Sequence, residues 1–182
     1  MVTTPDDPDR DPIFRWETIE EVGSFELKYQ GWLVPGKILE LELTSGGKVR
    51  VWRADNGQEY FCHGLTFGGK DGPNGAISPH GEHVPTILRG HYEAISAAEA
   101  LAGDILVWRG ASADDVVHSA TLTDPIVSPR GNDLDYTAKL QTKNGILPET
   151  NMTLGRLVEN LYGESYRVYR RKTRHPIEES KS

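Results

Sequence analysis

Two runs of alternating apolar and charged residues near the start of the chain predict a β-hairpin. In residues 38–43 (ILELEL) the apolar side chains alternate with acidic ones, and in residues 48–53 (KVRVWR) they alternate with basic ones. Period-two alternation is typical of a strand that is buried on one face. The segment 44–47 (TSGG) provides a turn between the two runs. We therefore predict an antiparallel hairpin over residues 36–53, with acidic and basic side chains paired on its outer face.

Later apolar runs predict a second antiparallel sheet. Strands are expected over residues 105–109, 116–122 and 136–142, with turns between them. A final strand is expected to begin near residue 165, and a weak one is expected over residues 25–28.

The patterns that indicate helix are short. Residues 14–22 are expected to form one or two helical turns, and residues 84–90 a short helix opened by Pro85. Thr153 can cap a further helix that ends at Gly163. Apolar residues recur at helical spacing on one face of that helix: Leu154, Leu157, Val158 and Leu161.

Two segments are less regular in pattern. Residues 92–101 fit a helix by their alanine and glutamate content, although residues 92–95 also fit a strand. Residues 70–83 are rich in glycine, proline and histidine, and we expect them to form a surface loop.

The single cysteine of the chain lies where a short helix is expected to start. A polar turn over residues 54–59 precedes it, an apolar segment surrounds it, and a glycine pair follows at residues 68–69. Cys62 would then occupy the first helical turn, where backbone N–H groups are unpaired and the helix dipole favours a thiolate. This setting lowers the pKa of a cysteine and makes it a nucleophile. The alternative is that Cys62 is a small buried apolar residue.

Composition and charge limit the classes of function. At 182 residues, with 37% hydrophobic and 26% charged residues, the chain suits one well-buried globular domain. A formal net charge of −7 argues against broad nucleic-acid binding, which needs a basic surface. No apolar run is long enough to span a membrane, and the acidic, proline-rich start lacks the apolar core of a secretory signal. One cysteine excludes an internal disulfide, so we expect a cytoplasmic protein or one exported without a cleaved signal peptide.

His118 lies on the predicted strand 116–122, downstream of Cys62. We expect it to share a strand face with Val116, Ala120 and Leu122, opposite Val117, Ser119 and Thr121. A cysteine, a histidine and a third polar group in this order suit thiol hydrolysis: the thiolate attacks a carbonyl carbon, and the imidazole protonates the leaving amine. A satisfied core histidine is the competing interpretation.

Three segments in this order resemble a known superfamily. They are residues 60–69 (YFCHGLTFGG), 103–108 (GDILVW) and 117–120 (VHSA). The set resembles the papain-like bacterial cysteine peptidases and amidases, nearest the NlpC-type cell-wall peptidases and their CHAP relatives. In those families a small residue stands between the cysteine and the glycine, whereas His63 stands there in this chain. The likeness covers residues 60–171, and includes residues 142–145 and the terminal strand 166–171.

The resemblance implies that Cys62 is the nucleophile and His118 the base, with no cofactor and no metal. For the third position we expect Gln141, because its amide oxygen can accept the imidazole N–H. Lys143 better matches a Ser-Lys-Trp-Gly segment that follows the histidine in a subgroup of these relatives with a Cys-His-Gly motif, but an ammonium cannot accept that bond. If the strand face that carries Gln141 points away, Thr142 becomes the candidate.

The residues around Cys62 also admit a metal site. One cysteine and four histidines could supply zinc ligands: Cys62, His63, His80, His83 and His91. Their spacing matches no strong zinc pattern.

Because adjacent helix positions do not face each other, we expect His63 to pack or to line the cleft rather than to contact the thiol of Cys62.

Taken together, the sequence predicts an α+β protein with a papain-like fold, in which a short nucleophile helix packs on an antiparallel sheet. We expect a disordered acidic segment over residues 1–13, one domain over 14–171 with its catalytic part at 54–171, and a charged tail over 172–182. The expected function is thiol-dependent hydrolysis of amide bonds in a peptide or a peptidoglycan stem, without nucleic-acid or membrane partners.

Two other functions remain open. The same triad could serve a deamidase or acyltransferase toxin, whose partner would be a cognate inhibitor or immunity protein. Alternatively the site is degenerate, and the protein is a binding module.

Overall fold

The computed structural model describes residues 12–29, 31–110, 115–145, 147–163 and 165–172. Nearly all of the expected N-terminal segment and C-terminal tail lies outside these residues. Ile13, which we placed in the N-terminal segment, is only 6% exposed and packs in the core.

The described chain is a mixed α+β structure with two antiparallel sheets and few helices. The first sheet has four strands in the order β1-β2-β3-β4: β1 Phe14–Tyr29, β2 Trp32–Leu43, β3 Lys48–Ala54 and β4 Ser78–Pro79. The second sheet has six strands in the order β5-β10-β6-β7-β8-β9: β5 Tyr92–Ile95, β6 Ile105–Arg109, β7 Val116–Asp124, β8 Lys139–Thr142, β9 Thr150–Thr153 and β10 Tyr166–Arg171.

The helices are short, as the patterns predicted. They are α1 Cys62–Thr66, α2 Val84–His91 and α3 Leu154–Leu157, and α3 continues as a π-helical turn over Val158–Tyr162. Thr153 caps α3 by accepting a hydrogen bond from the Arg156 N–H, which confirms the predicted cap. No described helix has the length and apolar character needed to cross a membrane.

The predicted hairpin is confirmed by the pairing of β2 with β3. Glu40 lies opposite Arg50 and Glu42 lies opposite Lys48. The Glu40 carboxylate is 3.7 Å from Arg50 Nε and 3.8 Å from Lys48 Nζ. The acidic and basic outer positions therefore face each other across the strands, although such exposed pairs contribute little stability.

The helical turns expected over residues 14–22 are wrong, because this stretch is part of β1. β1 pairs with β2 from Phe14 to Tyr29, with irregular register between Arg15 and Glu20. In the irregular stretch the Thr18 hydroxyl accepts a hydrogen bond from the Glu42 N–H at 2.8 Å. Pairing with β2, the next strand of the chain, thus overrides the local helical preference.

The expected surface loop over residues 70–83 is also partly wrong. Ile77 is fully buried, and Ser78 and Pro79 form β4 at the edge of the first sheet. Residues 92–101, which fitted either element, form β5 followed by a single 3-10 turn over Ala97–Glu99.

The six-stranded sheet is covered on both faces. Ile105 and Val107 of β6 face a core shared with the four-stranded sheet and with α2. Leu106 and Trp108 face a second core shared with α3. The continuous apolar run of β6 is therefore explained by burial on both sides of the strand.

A β-bulge in β7 changes the face of its first residue. Trp108 pairs with His118 and Arg109 pairs with Val116, so that Val117 is an extra residue without a partner. Val116 consequently packs in the first core, while Ala120 and Leu122 pack in the second. The expectation that Val116 shares the face of His118 is therefore wrong.

Asp104, from the Gly-Asp step that precedes β6, has a structural position. Its carboxylate accepts two hydrogen bonds from Arg170, at 3.1 Å from Nε and 2.9 Å from Nη2, and a third from the Leu101 N–H. Asp104 is 5% exposed. The ion pair holds the start of β6 against β10, the last strand among the described residues.

Candidate active site around Cys62

The cysteine lies at the first position of α1, as the sequence predicts. All five residues of α1 are buried, and Cys62 itself is 9% exposed. The residue before it, Phe61, donates its N–H to the Ser78 hydroxyl at 2.8 Å, which holds the start of the helix against β4. A Cβ at Gly64 would lie 2.5 Å from the Ile77 carbonyl oxygen, so the glycine that follows Cys62 and His63 permits this close packing.

His63 contacts the thiol, contrary to our expectation. Its Nδ1 lies 3.7 Å from Cys62 Sγ and 2.7 Å from the Ser119 hydroxyl. Its Nε2 lies 2.9 Å from the Val116 carbonyl oxygen, which only accepts, so that Nε2 carries a proton. The rule against contact between adjacent positions applies within a helix, whereas Cys62 stands at the very start of a five-residue helix.

A chain of hydroxyl groups continues from His63. Ser119 Oγ donates to Thr66 Oγ1 at 2.9 Å, while its oxygen faces His63 Nδ1. With the Ser119 proton directed at Thr66, Nδ1 of His63 is left to donate as well. This arrangement suits a doubly protonated, positively charged imidazole beside Cys62.

His118 approaches the thiol from a different strand face. His118 lies close enough to the thiol to lower the pKa of Cys62, and its Nε2 lies 2.7 Å from Thr142 Oγ1. Because Thr142 occupies Nε2, the nitrogen available to Cys62 is Nδ1. His118 is 1% exposed and is held between two aromatic rings: it stacks on Tyr162 at 3.9 Å between centroids, and Trp108 lies at 5.5 Å.

Gln141 does not lie against His118, so the expected position of the third group is wrong. Its amide nitrogen bonds to the Glu149 carboxylate at 3.4 Å, on the opposite face of β8. Leu140 packs in the second core, and alternation places Thr142 on that same buried face. The sequence contained this signal, because a core residue two positions before Thr142 fixes the buried face of the strand.

Lys143, the other candidate for the third position, lies on the other side of the site. Its Nζ donates to the Leu147 carbonyl at 2.6 Å and lies 4.7 Å from the centre of the Tyr60 ring. Burial lowers the pKa of Lys143, against the opposing effect of nearby carboxylates and of Cys62. Lys143 therefore contributes positive charge near the thiol without touching His118.

The thiol and the two imidazoles are electrostatically linked. Burial raises the pKa of the Cys62 thiol, but the charge of His63 and hydrogen bonds from both His118 and His63 lower it well below the ordinary value. Burial lowers the pKa of His63, yet Cys62 and the Val116 carbonyl leave it raised. The structure thus favours a thiolate beside a charged imidazole, and the histidines rather than the dipole of a five-residue helix account for it.

A polar cluster borders the site on the side of β8. The Tyr60 hydroxyl donates to the Glu149 carboxylate, which also accepts from Lys70 at 3.3 Å. Burial and the bond to Glu149 raise the pKa of Tyr60. Sequence reasoning gave no role to Tyr60 or Glu149, since they lie 89 residues apart and nothing local links them.

The structure does not bring the potential zinc ligands together. Within the described ranges, no group of three or more histidine, cysteine, aspartate or glutamate side chains could hold a metal ion. His80 and His83 lie near each other at 6.3 Å between ring centroids, while His91 bonds to Thr44.

No protein-family model, curated protein or solved structure matches the chain.

Proposed function

We propose that the protein is a thiol-dependent hydrolase of amide bonds, with Cys62 as the nucleophile and His118 as the general base and acid. One observation carries the proposal: a buried thiol lies 3.7 Å from the imidazole of His63, and a second imidazole, His118, lowers its pKa while Thr142 holds that ring at Nε2. A histidine buried only for packing would not need to be oriented towards the one cysteine of the chain.

The proposed reaction has two halves. The Cys62 thiolate attacks the carbonyl carbon of the substrate, and a proton from His118 passes to the leaving amine as the carbon–nitrogen bond breaks. A water that gives its proton to His118 then attacks the thioester, which releases the acid and restores the thiolate. Backbone N–H groups in the first turn of α1 are the proposed donors to the oxyanion.

Thr142 is the proposed third member of the triad, in place of Gln141. As an acceptor for the Nε2–H of His118, its hydroxyl leaves Nδ1 unprotonated and able to take the thiol proton. His63 is proposed as a positioning residue whose positive charge favours the thiolate. We also propose a papain-like fold, supported by a cysteine at a helix start, a histidine on the sheet and their order along the chain.

The test begins with the rate of Cys62 alkylation by iodoacetamide against pH. We expect an apparent pKa well below the roughly 8.5 of a free thiol, and a shift towards that value in His118→Ala. The protein and its Cys62→Ala variant should then be incubated with peptide mixtures, alone and with an added primary amine. New amino termini made by the wild type alone support hydrolysis.

Three results would count against the proposal. Products that incorporate the added amine without hydrolysis would indicate acyl transfer, and conversion of side-chain amides to acids with no new amino termini would indicate a deamidase that leaves peptide bonds intact. An unreactive Cys62, or a Cys62 with an ordinary pKa that ignores His118, would leave a binding module as the better interpretation.

A further inference from the structure

A groove of about 750 Å³ lies beside the first turn of α1. One wall comes from the first sheet and the other from the turn Gly81–His83 and the start of β7. Its lining is mainly apolar and includes Phe25, Leu27, Ile38, Trp52, Phe61 and Pro79.

The apolar wall includes the residue that precedes the candidate nucleophile. The rings of Trp52 and Phe61 lie 5.3 Å apart between centroids, and Phe61 is the residue before Cys62. At the outer end Phe25 remains 50% exposed. An exposed aromatic ring that lines an apolar groove gains contact area when a ligand covers it.

The opposite wall of the groove packs against the same backbone carbonyl that holds His63, the histidine beside the thiol. A Cβ at Gly81 would collide with the Val116 carbonyl oxygen, so this turn packs tightly against the start of β7. The same carbonyl accepts the Nε2–H of His63. A ligand in the groove would therefore lie next to the backbone whose carbonyl holds His63 beside the thiol of Cys62.

Two carboxylates mark the edge of the groove. Glu82 and Asp115 are part of the lining, and within the part of the chain that the structure describes no lysine or arginine lines it. Burial and the neighbouring His83 lower the pKa of His80, so this histidine adds no positive charge at neutral pH. The edge favours a basic group and disfavours an acidic one.

We propose that this groove binds a bulky apolar side chain of a peptide substrate beside the scissile amide, with a basic residue next to it at the acidic edge. The inference rests on the proposed function and narrows its substrate class. Acidic stem peptides of peptidoglycan become poor candidates, because their carboxylates would face Glu82 and Asp115.

The test measures binding in full-length Cys62→Ala, which cannot cleave the probes. Three dansylated tripeptide amides are titrated by fluorescence: Gly-Phe-Lys, Gly-Ser-Lys and Gly-Phe-Glu. We expect Gly-Phe-Lys to bind at least about tenfold tighter than Gly-Ser-Lys, since the groove buries the apolar ring. We expect Gly-Phe-Glu to bind several-fold more weakly than Gly-Phe-Lys.

Matched variants locate the binding site. Phe25→Ser should weaken Gly-Phe-Lys about 3–10-fold and leave Gly-Ser-Lys unchanged, because a half-exposed ring contributes part of the contact. Trp32→Ser is the control, since Trp32 is 69% exposed on β2, the strand paired with β1, but lies outside the groove lining. Glu82→Lys should reverse the preference between Gly-Phe-Lys and Gly-Phe-Glu.

The outcomes separate the two proposals. If the three peptides bind alike, or if Trp32→Ser weakens them as much as Phe25→Ser, the groove proposal is overturned even where alkylation shows a reactive thiol. If the peptides are discriminated as expected while the Cys62 pKa is ordinary, the hydrolase proposal fails and the binding preference of the groove stands.

Discussion

The Nε2 atom of His118 lies 2.7 Å from the Thr142 hydroxyl. Both residues are buried, and they belong to β7 and β8, neighbouring strands of the six-stranded sheet. A buried imidazole N–H that lost this partner would be unsatisfied. The bond therefore bears both on the stability of the fold and on the orientation of the proposed base.

Replacing Thr142 tests this bond directly. Thr142→Val keeps the shape of the side chain but removes the acceptor, and we expect a loss of about 1–3 kcal/mol in the free energy of unfolding. We also expect about a tenfold fall in the rate of Cys62 alkylation at neutral pH, since His118 is no longer oriented. Thr142→Ser should restore most of both. Gln141→Ala, on the other face, should leave the alkylation rate unchanged, and an equal effect of the two would contradict this assignment.

The contact between His63 and Cys62 predicts a change in thiol acidity. In His63→Gln the positive charge is absent, so the pKa of Cys62 should rise towards its ordinary value, as read from alkylation against pH. Because the folded pKa is lowered, ionised Cys62 stabilises the fold at pH values above the unfolded thiol pKa of roughly 8.5. That contribution is lost as the pH falls through the folded pKa. His80→Gln, which alters a histidine of the groove, should leave the alkylation curve of the wild type in place.

The reciprocal effect should be visible on His63 itself. In Cys62→Ser the thiolate is gone and burial remains, so the pKa of His63 should fall, as measured by NMR titration of the imidazole. The raised pKa in the wild type stabilises the fold fully below the unfolded histidine pKa of roughly 6.5, and this contribution is lost as the pH rises through the folded value. An unchanged His63 titration in Cys62→Ser would mean that the two side chains are not coupled.

Gly64 is predicted to be needed for packing rather than for chemistry. In Gly64→Ala the new methyl group would meet the Ile77 carbonyl, so α1 must shift away from β4 at a cost of about 1–3 kcal/mol. Urea unfolding measures this loss. Gly23→Ala is the control, because a Cβ there would meet only Ile38 at an ordinary 3.7 Å. A neutral Gly64→Ala would show that the helix start has room that the structure does not indicate.

Asp104 is predicted to act on stability alone. Asp104→Asn leaves Arg170 facing a neutral amide, and we expect a loss of about 2–4 kcal/mol in urea unfolding, because the carboxylate is buried and accepts three hydrogen bonds. The pH dependence of Cys62 alkylation should be unchanged below the unfolding transition. Glu40→Gln, which affects only exposed ion pairs, should cost no more than about 1 kcal/mol.

The sequence predicted those elements whose pattern is local. The hairpin, β6 and the cap at Thr153 each follow from alternation, a continuous apolar run or one capping residue. The weak strand expected over residues 25–28 is part of β1, but the first half of β1 escaped prediction because it has no regular alternation and becomes a strand through pairing with β2.

The sequence predicted the two main residues of the candidate site but not the groups that surround them. His118 lies close enough to Cys62 to lower the pKa of the thiol, but the partner of His118 depends on which face of β8 is buried. The contact of His63 with the thiol depends on the exact start of a short helix. Tyr162 stacks on His118 from a π-helical turn, and no periodic sequence pattern predicts such a turn.

Because β7 contains one extra residue, the number of residues between Val116 and His118 is as important to the site as the identity of its side chains. One strand uses the Val116 carbonyl to hold His63 and, two residues later, presents the ring of His118 from its other face. Val117 between them is 43% exposed, so many substitutions there should be tolerated. Its deletion would turn either the carbonyl or the ring away from Cys62, and the site should therefore be far more sensitive to a lost residue here than to a changed one.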